Sequence, residues 1–468
     1  MARIAWFAPG KGYAAGRLVR RLHARHRIDC YGEGPDHITP SESGEASGVS
    51  RAELSDTTQT AHDFIWNERR QPYDLTVFEI ASHADYDFVW PYLVRYPGLV
   101  LLHEGRLHNS RGRSLLRQGR RADYHAEFAF DHPNAPREIP KLAFTEDLEP
   151  ADELWPMRRV VVESARWLVV PHRWLARELR DEASHSRFGT IEPGVAPSSP
   201  PVEDARQVKQ RYGIPSEAVI FSIMGPASER TRIPQVLSAL AQLDPVGTPW
   251  HLLLATNPAS GDDGRHPTTA ELGLTPHVTQ LGPDSEETRT TLRAIADICV
   301  CLEWPDRARG RWEWLSCLAA GKPSIIFDLA DRVAIPTLDP RNGLTRRVAA
   351  PSQGAEDYSH DPAAVGIDIV DEQHSLQLTV RRLGSDRALR TQLGNHARRL
   401  WEARFQLDRM ATEVDSAIGH ALDVNVGEVQ RQDLPPHLFA NGLSHVREVV
   451  SRAPSRAADG WTVTPGPR

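Results

Sequence analysis

Cysteine is scarce in this chain, with four in 468 residues, at Cys30, Cys299, Cys301 and Cys317. No pair has the spacing of a metal knuckle, and so few thiols exclude the disulfide framework of a small secreted domain. Their mostly apolar surroundings suit buried, reduced thiols in a cytoplasm. Long hydrophobic runs are missing as well: none approaches the roughly 20 residues that cross a bilayer. The first residues, MARIAWFAPG, run directly into a strand pattern, so neither a signal peptide nor a membrane span is expected. Net positive charge is absent. A formal charge of −7 argues against bulk electrostatic capture of nucleic acid, although it leaves room for a local basic patch. No short internal repeat is present, which removes the solenoids.

What remains is an ordinary globular composition, 40% hydrophobic and 25% charged, with 12 tryptophans. At roughly 100–200 residues per domain, the length points to two domains. The first half alternates strand and helix: strands at 2–8, 27–32, 74–81, 98–103 and 167–171, helices at 14–25, 86–96, 111–130, 155–166 and 173–183. Residues 34–60 break the alternation as a polar surface excursion. The proline-rich stretch PGVAPSSPP at 193–201 is the best linker. Beyond it the pattern restarts, with strands at 219–224, 250–256, 277–281, 298–302, 324–328 and 366–370. Helices at 372–384, 386–399 and 400–421 close it. The expected division is residues 1–195, a hinge at 196–216, a second domain at 217–399, a closing helix at 400–422 and a loosely attached tail at 423–468.

The densest information lies in residues 299–329, CVCLEWPDRARGRWEWLSCLAAGKPSIIFDL. Two short β-branched runs, Ile298 to Leu302 and Ser324 to Phe327, flank a helix that stops at Gly321, and Pro323 prevents its continuation. In a doubly wound sheet the loop after a strand's carboxyl end faces the ligand crevice, so residues 303–313 should line what this protein binds.

The order of motifs resembles the GT-B glycosyltransferases, specifically the retaining family 4 type, over about residues 1–422. The motifs that carry the resemblance are WFAPGKGYAAGRLVRRL, YPGLVLLHEGRLHNS, RWLVVPHRWLARELRDEA, FGTIEPGV, FSIMGPASERTRIPQVLSAL, the 299–329 stretch and LRTQLGNHARRLWEARF. The resemblance implies an α/β fold of two Rossmann-like domains facing a cleft. It also implies a nucleotide-sugar donor on the second domain and a saccharide or lipid-linked acceptor on the first. Two departures stand out. The family's two glutamates, eight positions apart, correspond here to Ala308 and Ser316, and the loop after Gly225 carries Arg230 and Arg232 but no lysine.

Sugar transfer from a nucleotide requires stabilisation of the departing diphosphate while the anomeric carbon becomes oxocarbenium-like. Gly225 allows close backbone approach, and the guanidiniums of Arg230 and Arg232 suit phosphate oxygens. The plainer reading makes both arginines solvated cations at a helix start. His103, which the resemblance places against the donor sugar, ends an apolar strand; a satisfied structural histidine is the alternative. His103 and His108 are five apart across a strand end, which does not fit a zinc-protease helix. Gly10, Gly12 and Gly16 are spaced one residue too long for a dinucleotide fingerprint, so a nicotinamide enzyme, with Glu33 as its acidic residue, is a minor option. Asp85 and Asp87 mimic a metal-binding pair but lie where a helix starts, which favours capping. Arg106, Arg111, Arg113, Arg117, Arg120 and Arg121 read as a solvated face; an acidic or lipid-phosphate acceptor, or an anionic membrane surface, would also meet them. Arg307, Arg309 and Arg311 place further cations in the donor loop.

The expected function is therefore a cytoplasmic, metal-independent retaining glycosyltransferase that needs no cofactor. A peripheral position at the inner membrane face is open through the arginine run. His103, Glu313 and Glu303 are the expected catalytic residues, with Gly225, Arg230, Arg232, Ser316, Gly321 and Lys322 on the donor side. Within that set Lys322 reads as structural. Gly10, Gly12 and Glu104 face the acceptor. No metal and no nucleic acid is expected. The alternatives are a catalytically reduced GT-B scaffold and, third, a GT-B epimerase.

Overall fold

The computed structural model describes residues 1–9, 15–33, 58–136, 138–142, 154–183, 185, 187–198, 205–225, 229–243, 247, 249–255, 269–281, 286–304, 308–328, 335–346, 361–429 and 433–440. Gly10, Gly12, the polar stretch 34–57 and residues 441–468 lie outside them, as do the side chains of Arg307 and Arg309.

The first sheet contains β1 (Arg3–Phe7), β2 (Arg27–Gly32), β3 (Thr58–Thr60), β4 (Leu75–Ile80), β5 (Leu99–Leu102), β6 (Trp167–Val170) and β7 (Phe188–Thr190). All are parallel, in the order β3-β2-β1-β4-β5-β6-β7. The second contains β8 (Val219–Met224), β9 (Trp250–Ala255), β10 (Val278–Gln280), β11 (Ile298–Val300), β12 (Ser324–Phe327), β13 (Thr337–Leu338), β14 (Thr345–Arg346) and β15 (Ala364–Ile367). Its order is β10-β9-β8-β11-β12-β15-β13-β14, parallel except for the β13/β14 hairpin. Buried runs such as LTVFEI in β4 and VIFSIM in β8 read as near-continuous apolar segments because helices cover both faces of such sheets.

Among the described residues the helices of the first half are α1 (Ala15–Leu22), α2 (Phe64–Arg70), α3 (Trp90–Arg95), α4 (His108–Arg117), α5 (Arg121–Asp131), α6 (Ile139–Leu142), α7 (Arg159–Ser164) and α8 (Arg173–Glu182). The second half adds α9 (Ala205–Arg211), α10 (Ile233–Leu240), α11 (Glu286–Ile295), α12 (Ala308–Ala319), α13 (Glu372–Ser385), α14 (Arg387–Arg404) and α15 (Leu407–Asp423). The helix expected over 111–130 is two, because Gly119 takes φ 72° and turns the chain between α4 and α5. The helix expected over 86–96 is a 3₁₀ turn, Ala84–Val89, followed by α3; its cap is His83, whose ring accepts from Asp85 N, so the capping assigned to the Asp85/Asp87 pair belongs to the preceding residue. The polar excursion ends in an ordered edge strand, β3, paired with Cys30–Gly32.

The last helices define how the two sheets meet. The break before the closing helix falls at Phe405–Gln406 instead of at 399–400. Val195 N donates to Phe405 O at 2.8 Å and Leu407 N donates to Val195 O at 3.1 Å, so the chain opens there to bond with the interdomain segment. From that point α15 runs onto the first sheet and packs against α1, β4, β5 and β6. Met410, Ala411, Val414, Ala417, Ile418 and Ala421 form its buried stripe at helical spacing. Burying each large side chain of this kind contributes about 1.5–3 kcal/mol. Polar contacts fix the register: Arg21 to Asp408 at 2.7 Å, His26 to Asp415 at 2.7 Å, and Arg166 to the carbonyls of Leu422 and Val424.

Within the expected tail at 423–468, residues 433–440 are docked on the first sheet, while 441–468 lie outside the described residues. Leu434 and Leu438 are buried in the core of the first sheet, together with Trp90 and Leu93 of α3. His437 Nε2 lies 2.8 Å from Glu127, and Arg95 donates to Ala440 O at 2.8 Å. Burial alone would raise the Glu127 carboxyl, but Arg111 and His437 hold it down at about 2.

Candidate functional site

The strand order switches direction between β1 and β4 in the first sheet and between β8 and β11 in the second, whose far edge carries β13 and β14 outside β15. Loops at the carboxyl ends of those strands open the crevice where a doubly wound fold binds ligands. His103 follows β5 there. It lines a small cleft together with Leu102, Pro171, Arg311 and Trp312 of α12, and Met410 of α15. The His103 and Trp312 rings meet edge to face, centroids 6.3 Å apart. The first sheet, α12 of the second half and α15 thus contribute to one recess.

Behind His103 stands a residue that sequence reasoning missed. Its Nε2 lies 3.0 Å from Glu79 Oε2, and Glu79 Oε1 accepts from Trp6 Nε1 at 2.8 Å. Glu79 is 2% exposed, in the middle of the first sheet. The available signal was a single acid inside the apolar run LTVFEI. Glu104, expected on the acceptor side, accepts from Ser82 N at 2.9 Å and so ties the β5 end to the β4 end. Burial, together with the Glu79 and Glu104 charges, pushes the nearby Tyr86 phenol well above its ordinary range.

On the second sheet, Gly225 follows β8 with φ 120°, and a side chain added there would meet no atom of the described residues within 4 Å. A backbone conformation that only glycine adopts readily suits close approach of a phosphate. Arg230 and Arg232 follow in the same loop. Arg230 O accepts from Trp304 N at 3.0 Å, which joins the β8 loop to the β11 loop. Arg232 caps α10 in the left-handed region, φ 54°, a conformation that costs a non-glycine residue energy and recurs at ligand sites. Its Nε lies 3.5 Å from Glu372 Oε1, and both atoms are buried without a hydrogen bond.

Other expected donor residues are placed differently. Glu313 is 5% exposed, with its carboxylate held between Arg289 at 2.9 Å and Arg293 at 3.0 Å on α11. Two guanidiniums engage this carboxylate inside the lobe and pin α12 to α11, a different engagement from the expected contact with sugar hydroxyls. Ser316 is buried and donates to Trp312 O at 2.9 Å. Lys322 donates to the carbonyls of Ala294 and Ala296 at 2.8 and 2.9 Å, a structural clamp. Gly321 sits at φ 64° and ends α12: Gly321 N donates to Leu318 O and Lys322 N to Cys317 O, the bonds of a Schellman cap. Glu303 lies half-buried in the loop after β11. The arginine run does not form one open face. Arg111 is buried in a two-bond pair with Glu127, Arg120 pairs with Asp123, and Arg117 reaches Asp87 at 3.8 Å.

A second hollow, about 540 Å³ and open to solvent, lies at the carboxyl end of β2, lined by Glu33, His62, Phe88, Tyr92 and Arg95. Among the described residues no helix is long and apolar enough to cross a membrane.

No protein-family model and no curated protein matches the chain. Solved structures do match. The sucrose-phosphate synthase of Thermosynechococcus elongatus is 15% identical over 89% of this chain and 98% of that one, with a TM-score of 0.57. HepE from Anabaena, in complex with UDP and glucose, is 12% identical over 90% of this chain and 100% of that one, at 0.56. WaaG, a glycosyltransferase involved in lipopolysaccharide biosynthesis, is 15% identical over 89% and 99%, at 0.51. The two doubly wound sheets and the helix that returns from the second to the first give this chain the GT-B architecture it shares with these structures.

Proposed function

We propose that this protein is a glycosyltransferase that moves a sugar from a nucleotide-sugar donor to a saccharide or lipid-linked acceptor, with retention and without a metal. The observation that carries it is the placement of two loops at the carboxyl ends of central strands: Gly225, Arg230 and Arg232 follow β8, and His103 follows β5, where it lines a cleft with Arg311 and Trp312 of the second sheet's α12. The likeness to HepE, whose complexes contain UDP and UDP-glucose, supports a nucleotide-sugar as the donor. In the transfer, the bond from the anomeric carbon to the diphosphate oxygen breaks with its electron pair leaving on that oxygen. The acceptor hydroxyl oxygen bonds to the anomeric carbon, and its proton passes to the departing diphosphate. Two guanidiniums beside a helix amino terminus can neutralise the charge that develops there. His103 would contact the sugar, and Glu303, in the loop after β11, would meet ribose or sugar hydroxyls. The hollow beside β2 suits a saccharide acceptor, with Phe88 and Tyr92 to stack against and Glu33 and His62 to bond hydroxyls.

A second reading, a GT-B scaffold with reduced catalysis, is favoured by Ala308 and Ser316 at the family's glutamate positions and by the engagement of Glu313 with two arginines. Incubation with UDP-, GDP- and ADP-sugars, with and without saccharide acceptors, separates the two. Release of free nucleotide above buffer level supports the transferase. A complete lack of release for every donor supports the scaffold, and product NMR reads the anomeric outcome directly.

A further inference from the structure

Trp6 on β1, Glu79 on β4 and His103 after β5 form a file across three neighbouring strands that ends at the crevice. Glu79 is the only acid in an otherwise apolar, fully buried strand. A carboxylate in such a place is costly unless its oxygens are engaged, and here each oxygen has a partner. The indole of Trp6 needs one acceptor, which an amide or hydroxyl would also supply. The second oxygen faces His103, whose residue borders the cleft.

We propose that Glu79 is a positioning residue: it fixes His103 as the tautomer with its proton on Nε2 and so leaves Nδ1 to accept a hydrogen bond from a sugar hydroxyl in the crevice. An ionised carboxylate only accepts, so the imidazole nitrogen facing it must carry the hydrogen. A carboxylate on the far nitrogen is a known way to hold a histidine in one tautomer and orientation. The Trp6 bond keeps the carboxylate from turning, and Trp312 limits the ring on its other side. The sugar contact rests on the transferase reading; the tautomer does not.

The test uses the full chain labelled with ¹⁵N-histidine, with His103→Phe to assign the resonance and long-range ¹H–¹⁵N spectra to show which nitrogen is protonated. The wild type should carry the proton on Nε2. In Glu79→Gln the amide oxygen still accepts from Trp6 while the amide nitrogen donates to Nε2, so the proton should move to Nδ1; Glu79→Asp should restore the wild-type tautomer. Calorimetry with UDP and with UDP-glucose gives the functional arm. Glu79→Gln should leave UDP affinity unchanged and lower the extra affinity conferred by glucose roughly tenfold. A proton on Nδ1 in the wild type overturns the proposal, whether or not any variant folds. An unchanged tautomer in Glu79→Gln overturns it as well, and so does a switched tautomer with an unchanged glucose contribution. If the wild type binds neither UDP nor UDP-glucose, a uridine nucleotide is ruled out as the donor, the same titration with GDP, ADP and CMP and their sugars decides the transferase reading, and the spectra still decide whether Glu79 sets the ring.

Discussion

Arg232 Nε lies 3.5 Å from Glu372 Oε1, which brings the cap of α10 against the first residue of α13. Burial pushes the Glu372 carboxyl up and Arg232 pulls it back. The pair is close without a hydrogen bond, and the arginine is held in the left-handed region. A diphosphate arriving at the β8 loop would therefore meet a guanidinium already partly neutralised by a carboxylate. Glu372→Gln should tighten UDP binding by about three- to tenfold, since half-buried pairs of this kind are worth on the order of 1 kcal/mol. Calorimetry at constant salt checks this; weaker binding by the variant would mean that Glu372 orients Arg232 for the ligand instead of competing with it.

Gly194 lies where the interdomain segment meets the start of α15. A β-carbon there would stand 2.5 Å from Gln406 O and 2.9 Å from Met410 Cβ. Gly194→Ala should cost about 1–3 kcal/mol, as overpacking usually does, and lower the melting temperature. Scanning calorimetry gives the answer, and an unchanged melting temperature would show that the crossing helix yields at that point.

Leu434 and Leu438 are part of the first sheet's core. Leu438→Ala should destabilise the protein by about 2 kcal/mol or more in urea unfolding, because it opens a cavity beside α3. A loss below about 0.5 kcal/mol, the range of ordinary surface changes, would return residues 433–440 to the status of a loose tail.

Burial raises the Asp87 carboxyl to about 6, and the Ser114 hydroxyl with Arg111 and Arg117 offsets only part of that rise. The folded state therefore holds this proton more tightly than the unfolded state, whose carboxyl titrates near 3.8. The contribution of Asp87 to stability is most favourable below about pH 4, falls as the pH rises toward 6 and is flat beyond. Asp87→Asn removes that slope, so its urea stability should gain on the wild type between pH 4 and 6. Parallel curves would show that Asp87 is not desolvated.

The fold was legible because its signals are local and redundant. Short β-branched runs, Gly321 with Pro323 and the restart after Pro193 each mark an element by themselves. Boundaries that depend on distant partners were not legible. The break at Phe405–Gln406 exists because Val195 bonds there, and the docking of Leu438 depends on a pocket built some 340 positions earlier, with no periodicity to announce it. The site divides in the same way. Gly225, Arg230, Arg232 and His103 could be placed by counting from a strand end. Glu313 sits in the right loop and helix, but Arg289 and Arg293, on a different helix, decide its role. Glu79 showed only as an acid in an apolar strand until the fold brought Trp6 and His103 to its two oxygens.

The central claim is tested most directly by thermal shift against UDP, GDP, ADP, CMP and their sugars, on the wild type and on the Arg230→Ala, Arg232→Ala double variant. A ligand at about 100 times its dissociation constant stabilises a fold by roughly 2.7 kcal/mol, a readily measured shift. One nucleotide class should raise the melting temperature of the wild type and leave the double variant unmoved. No shift with any of them at millimolar concentration would contradict a nucleotide-sugar site at the end of β8, and with it the transferase.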